Sequence, residues 1–344
     1  MTNPVLVEVT RGGLIESRHR GAIAVARADG SLVWEVGEIE APVYPRSAVK
    51  VLQAIPLIES GAADVYGFAD GELALACSSH SGEPRHTELA ASMLERAGLA
   101  PDSLECGAHK PIHEATADAL VRAGEAPQPL HNNCSGKHAG MLATAMRLGE
   151  APAGYVHPDH GVQRRIAGVI EDLTGLPLAA DICGVDGCSV PTWALPLSSL
   201  AKAFALLAAG PSAASGKASG EHVAAGHRLI GACMAEPGMV AGKRRLCTRI
   251  MQALPGVVFA KTGAEGVYCA ALPKAGLGIA LKIDDGASRA SEIALASVLA
   301  SLHPAGAEAL APFESRSVHS VRGAAVGEVR PTSDWAILLA AGSA

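Results

Sequence analysis

Tyr44-Pro45-Arg46-Ser47-Ala48-Val49-Lys50 is the stretch on which the reading of this chain turns. A serine at a helix start with a lysine three residues later lie on one face, close enough for the amine to take the hydroxyl proton. The flanks narrow the reading. Upstream, Val5, Val7 and Val9 alternate with Leu6 and Glu8, and residues 21–27 and 31–36 flank Ala28-Asp29-Gly30, a hairpin signal because Asp-Gly tolerates positive φ. Downstream, residues 48–60 place Val51, Leu52, Ile55 and Leu57 on a mostly buried helix, with Pro56 positioned to kink it and Gly61 to end it. The same letters recur at Ser199-Leu200-Ala201-Lys202, inside a segment that reads as a structural helix, so the spacing alone decides nothing.

Working outward, helical patterns dominate the middle of the chain, over residues 85–97, 114–123, 138–148, 160–173, 197–209 and 221–234. Residues 211–220, rich in Ala, Ser and Gly, read as an exposed loop. Past residues 249–254, strands return at 256–260, 266–272 and 276–283, followed by a helix over 289–302. Strands at both ends imply one sheet shared by the termini. The order predicts an α/β (α+β) fold, with a sheet domain from residues 1–60 and 240–344 and a mainly helical domain, 61–239, inserted into it.

The 344 residues are long enough for one large domain or two interlocked ones, and the low aromatic content of 3% predicts a core of Ala, Val, Ile and Leu. Against 34 acidic residues stand 28 basic ones, a net charge of −6, and no basic tract interleaves with aromatics, which argues against a nucleic-acid partner. The amino terminus lacks a charged region followed by an apolar run, and the longest apolar stretch, 195–209, is broken by Pro196, two serines and Lys202. A cytoplasmic protein without a membrane span is expected. In that setting the eight cysteines read as thiols or metal ligands rather than disulfides.

Three further clusters can carry chemistry. Lys261-Thr262-Gly263 precedes strands and offers a second amine as a downstream partner. Cys77-Ser78-Ser79-His80-Ser81-Gly82-Glu83 supplies hydroxyls, although serines before a helix often serve only as caps. His131-Asn132-Asn133-Cys134-Ser135-Gly136-Lys137-His138, with Asp186-Gly187-Cys188-Ser189 some fifty residues later, combines two thiols, an amine and an imidazole, a donor set that suits tetrahedral zinc. The remaining cysteines read as small apolar core residues.

Strand hairpin, Ser-x-x-Lys helix, helical insert and Lys-Thr-Gly before terminal strands resemble the serine β-lactamase and penicillin-binding fold, in which these elements face one cleft. The longer motifs, Tyr44-Pro45-Arg46-Ser47-x-x-Lys50, residues 77–83, Asn132-Asn133-Cys134-Ser135-Gly136-Lys137-His138-Ala139-Gly140 and Asp186-Gly187-Cys188, are similar to those of the rhizobial-type L-asparaginases, in order and nearly end to end. That resemblance implies a homodimer that hydrolyses L-asparagine to L-aspartate and ammonia, with two serine-lysine pairs falling on Ser47 with Lys50 and Ser79 with Lys261. It implies a zinc ion held by Cys134, Lys137 and Cys188, assisting substrate binding rather than activating water, with His138 the substitute ligand on chemical grounds. It places Arg46, His138 and Asp186 in the substrate pocket.

A lysine acting as base near neutral pH must be depressed from ~10.4 to ~7–8, which burial and a second nearby amine both favour. The serine would then attack the side-chain amide, releasing ammonia and leaving a β-aspartyl ester for water to cleave; which serine attacks is not readable from the sequence. Two rivals share these residues. A penicillin-recognising hydrolase or esterase would use the same Ser-x-x-Lys and Lys-Thr-Gly pair, but its middle motif has asparagine where this chain has Ser81. A zinc-thiolate redox sensor would use Cys134 and Cys188 and hydrolyse nothing.

Overall fold

The structure, a computed structural model, describes residues 2–213 and 219–342. Residues 214–218, within the stretch read as an exposed loop, lie outside the described residues. Among the described residues there are ten strands: β1 (Val5–Arg11), β2 (Leu14–Arg27), β3 (Leu32–Val36), β4 (Cys183–Val185), β5 (Pro191–Trp193), β6 (Phe259–Thr262), β7 (Val267–Leu272), β8 (Leu277–Ile283), β9 (Arg316–His319) and β10 (Ala325–Pro331). The chain divides into two compact units. One comprises Met1–Ala48, Leu195–Ala208 and Ile250–Ala344; the other comprises Val49–Ala194 and Ala209–Arg249.

The first unit is an antiparallel sheet in the order β6-β7-β8-β2-β1-β10-β9, with β3 also paired to β2. Termini meet as the sequence implies, since β1 pairs with β10 through Val7 and Pro331. Strand β2 explains the curl of the sheet. Its first half pairs with β1, whereas Gly21–Arg27 pairs with β8 and Ile23–Ala26 with β3, so one strand belongs to two neighbourhoods. The buried run from Gly21 to Ala26 is what a centrally placed strand demands. The helix Ser288–Leu302 packs across β1, β7, β8 and β10. The helix Leu197–Ala209, buried on almost every face, belongs to this unit rather than to the helical segment that surrounds it in sequence. An all-round apolar helix needs cover on all sides, and here Phe204 stacks on Phe259 at the start of β6, ring centres 6.2 Å apart.

The second unit is helical apart from the β4-β5 ribbon. The segment after Ser47 is broken rather than merely kinked: a 3-10 turn, Arg46–Val49, leads into Lys50–Gln53 and then Ile55–Glu59. Pro56 removes the N–H that a continuous helix would bond to Leu52, so the chain restarts at Ala54. The expected helices appear as Pro84–Arg96, Glu114–Ala123, Ser135–Arg147, Gly161–Thr174 and Gly220–Ala235, and the additional helix Asp70–Ala76 precedes the serine-rich segment. Among the described residues no single helix is long and apolar enough to cross a membrane.

Candidate active site

Three lysines, Lys50, Lys137 and Lys261, are 0–2% exposed, an environment an amine tolerates only when its N–H groups are matched. In the helical unit Lys50 is matched completely. Its Nζ lies 2.5 Å from the Ser78 carbonyl oxygen, 3.0 Å from Ser79 Oγ and 3.0 Å from Cys134 Sγ. An ammonium can donate to all three. A neutral amine can donate to Ser78 and Cys134 while accepting from the Ser79 hydroxyl, so a proton can pass between Nζ and Oγ with no heavy atom displaced.

Cys134 leads into the helix Ser135–Arg147, which starts three residues earlier than the periodicity suggests because Asn132 turns the chain there. Its Oδ1 accepts the Cys134 N–H at 2.8 Å, and its amide donates to the carbonyls of Cys106 and Gly107. One turn on, Lys137 Nζ donates to Cys188 Sγ at 3.1 Å. Cys188 sits in the turn of the β4-β5 hairpin, where Asp186 accepts the Ser189 N–H and Ser189 adopts a positive φ of 74°. The hydrogen bond from Cys188 holds Cys134 well below the ordinary thiol range against the cost of burial, with Lys50 and Lys137 adding to the effect. That bond, with burial, pushes Cys188 up. Lys137 is lowered by burial, but Cys188, Cys134 and Asp186 outweigh it and raise it to about 12.

Two sulfurs and an amine therefore converge, and with the amine neutral this donor set fits zinc. Among the described residues no three thiol, imidazole or carboxylate groups form a metal site by themselves. Tyr155 Oη accepts the Glu105 N–H at 3.0 Å and so gives its own proton to His138 Nδ1, 2.6 Å away. The remaining ring nitrogen, Nε2, then carries hydrogen, and among the described residues that buried group has no partner. Burial, Lys137 and Lys50 keep the ring well below the usual imidazole range.

His80 joins the two motifs. Its Nδ1 accepts the Gly82 N–H at 3.1 Å, which places the ring proton on Nε2, 2.8 Å from Ser135 Oγ, and its backbone N–H donates to Asn133 O at 3.1 Å. Ser135 passes its own proton to the Leu130 carbonyl. Ser79 and Cys134 are thus held on adjoining backbone by a fully buried ring, which burial and then His86 and Lys50 keep well below its usual pKa.

In the sheet unit, the Arg46-Ser47 turn and the end of β6 come together. A Cβ on Gly263 would lie 2.4 Å from the Pro45 carbonyl oxygen and 3.3 Å from the Ala48 Cβ, so the glycine of Lys261-Thr262-Gly263 is what lets the turn bearing Ser47 seat against this strand. Arg46 has a φ of 51°, an unusual conformation for a residue with a side chain and of the kind that collects at functional sites. Lys261 Nζ donates to Thr262 O at 2.8 Å.

The structure thus gathers Lys50, Ser79, Cys134, Lys137 and Cys188 around buried amines and sulfurs in one unit, with His138 on the same helix and Asp186 in the same turn as Cys188. Arg46, Ser47 and the Lys261 motif gather in the other. Ser79, which the resemblance pairs with Lys261, accepts a hydrogen bond from Lys50. Sequence reading missed the parts played by Tyr155, His80 and the Ser78 carbonyl. Only His80 left a signal, as the one imidazole inside the serine-rich motif.

No curated protein matches the chain. Among solved structures it is similar to Mglu in its glutamate form, at 18% identity over 83% of this chain and 61% of that one, with a TM-score of 0.45. It is similar to the covalent complex between the Bacillus subtilis glutaminase YbgJ and 5-oxo-L-norleucine at 13% identity, 81% and 88% coverage and a TM-score of 0.35. A third likeness is to the LovD6 mutant of simvastatin synthase from Aspergillus terreus, at 10%, 77% and 85%, and 0.29. The chain spans about three fifths of the length of the first of these. TM-scores this low leave the assignment to the family match, which is to L-asparaginase II over residues 7–331. A match running from β1 to the end of β10 takes in the whole fold rather than one motif, and the chain belongs to the L-asparaginase II family.

Proposed function

We propose that the chain hydrolyses the side-chain amide of L-asparagine, giving L-aspartate and ammonia through an acyl-enzyme. The observation that carries this reading is the buried Lys50 amine on the Ser79 hydroxyl, in a chain of the L-asparaginase II family. Ser47, one turn before Lys50 in the chain, is the nucleophile. Its Oγ attacks the amide carbon as its proton passes to Lys50. The C–N bond then breaks, and Ser79, in contact with Lys50, relays that proton to the departing nitrogen, which leaves as ammonia. Water attacks the resulting ester, giving a proton to Lys50, which passes it to Ser47 Oγ as the C–O bond breaks, so aspartate departs and both residues are restored. Arg46 holds the substrate carboxylate and Asp186 its ammonium, a charge pattern that rejects uncharged amides. The His138 Nε2 proton is a donor available to a substrate oxygen.

Cys134, Lys137 and Cys188 would hold a zinc ion, whose charge would assist substrate binding when bound. The same reading makes the enzyme a homodimer in the cytoplasm, a reducing compartment that preserves the two thiols, acting on a small molecule rather than on nucleic acid.

Ammonia release from L-asparagine and L-glutamine, assayed on the wild type with and without a chelator and on Ser47→Ala, Lys50→Ala and Ser79→Ala, tests the proposal. Removing either member of the Ser47–Lys50 pair is expected to lower kcat by at least ~10³ while the melting transition survives. A fully active Lys50→Ala protein would overturn it, and a metal-bearing protein that releases no ammonia would favour the thiolate sensor.

A further inference from the structure

A second site opens beside the segment that carries Ser79. Ser81 and Glu83, both more than nine-tenths buried, floor a cavity of about 450 Å³ walled on one side by residues 112–115 and on the other by Lys243, Arg244 and Arg245. That volume lies in the range of small-molecule sites, ~300–1,000 Å³. The floor is internally satisfied. Ser81 donates its hydroxyl to the Ala241 carbonyl at 2.7 Å and accepts the His113 N–H on its own carbonyl at 2.7 Å. Glu83 uses both oxygens, one accepting the Lys243 N–H at 3.1 Å and the other bound to Arg85 Nε at 3.1 Å. The walls differ: Lys243 and Arg244 are exposed and Arg245 is half-buried. Among the described residues none of the Lys243, Arg244 and Arg245 side chains makes an ion pair, although the protein carries a net charge of −6 and so does not lack carboxylates.

These facts select the ligand. A cation would need the Glu83 oxygens, which are engaged, and an apolar molecule would find only Ile112 and Ala115. Three cations in consecutive positions repel one another at close range, and an anion with two or more charges relieves that repulsion while filling their donors. Glu114, exposed at the rim, is the opposing charge and disfavours large polyanions that would overhang it. The geometry points to a binding site for a small multivalent anion, a dicarboxylate or a phosphate, in the cleft between Ser81, Glu83 and residues 243–245. The site is separate from the chemistry proposed for Ser79, and its occupancy does not depend on that chemistry.

Isothermal titration of the full chain at low ionic strength, with sodium succinate in one arm and inorganic phosphate in the other, tests this directly. Saturable binding in either arm is expected, accompanied by a rise in melting temperature, and the arm that saturates identifies the source of the charge. Arg244→Ala combined with Arg245→Ala should weaken that affinity at least ~10-fold, since charge-assisted hydrogen bonds are lost. The conservative Arg244→Lys should retain most of it and guards against a folding defect in the double variant. Arg322→Ala, a charge removed from an exposed surface of the sheet unit, should leave it unchanged. No saturable binding in either arm, or binding that survives in the double variant, overturns the proposal.

Discussion

At the scale of single residues the site is governed by where protons are allowed to sit. His80 shows this most plainly, because its tautomer is set by a backbone N–H and read out by a serine hydroxyl. His80→Ala leaves the Gly82 N–H and Ser135 hydroxyl short of a partner in a buried place, at a cost of ~2–4 kcal/mol. A melting-temperature drop with a fall in kcat is expected, partly restored by His80→Gln, whose amide keeps the reach of Nε2; unchanged stability would show that the ring is not a strut. Much of this was legible in advance. The letters of residues 44–50, 77–83, 132–140 and 186–188 already implied amines beside hydroxyls and thiols. What they could not convey is which amine meets which hydroxyl, since Lys50 and Lys261 carry the same functional group and only the path of the backbone brings Lys50 to Ser79.

At the scale of elements, close approach decides. A Cβ on Gly136 would sit 2.5 Å from both Leu75 Cγ and the Leu75 carbonyl oxygen, so the helix Ser135–Arg147 rests on the helix Asp70–Ala76 through bare backbone. Alanine favours a helix over glycine by ~1 kcal/mol, but a clash with backbone cannot relax and overpacking costs ~1–3 kcal/mol. The clash wins, and Gly136→Ala should lower the denaturant midpoint and weaken retention of any metal at Cys134 and Lys137. A stabilised variant would contradict the packing described. The helix Asp70–Ala76 itself was not legible, being two turns long with Gly71 near its start. Strands β9 and β10 escaped for a related reason: their half-exposed residues follow no clean alternation.

Another element-scale consequence concerns the helix Gly220–Ala235. Its His222 bonds Glu59 of the helix Ile55–Glu59 and faces Asp172 at 4.0 Å. The hydrogen bond to Glu59 raises the imidazole pKa against partial burial, with Asp172 and Glu221 contributing. A raised folded value means that the stabilisation is complete below the unfolded value of ~6.5 and fades as the pH climbs through the higher folded one. Melting curves of wild type and His222→Ala should therefore differ by ~0.5–1 kcal/mol at pH 6 and converge in alkaline solution; a gap that widens with pH would reverse the assignment.

For the whole molecule, the succession of a strand region, a helical region and a second strand region was readable, as was the union of the termini in one sheet. The helix Leu197–Ala209 was not assignable in advance, because its apolar faces suit any core and its sequence neighbours on both sides are helical-unit residues. Of nine lysines in the chain, the three tied to the motifs are shut away from water. An amine-selective acylating reagent applied to the native protein, followed by peptide mass mapping, should tag the six others where accessible and spare positions 50, 137 and 261. Their eventual tagging would then clock excursions in which the interior opens, so these three amines double as built-in reporters of breathing.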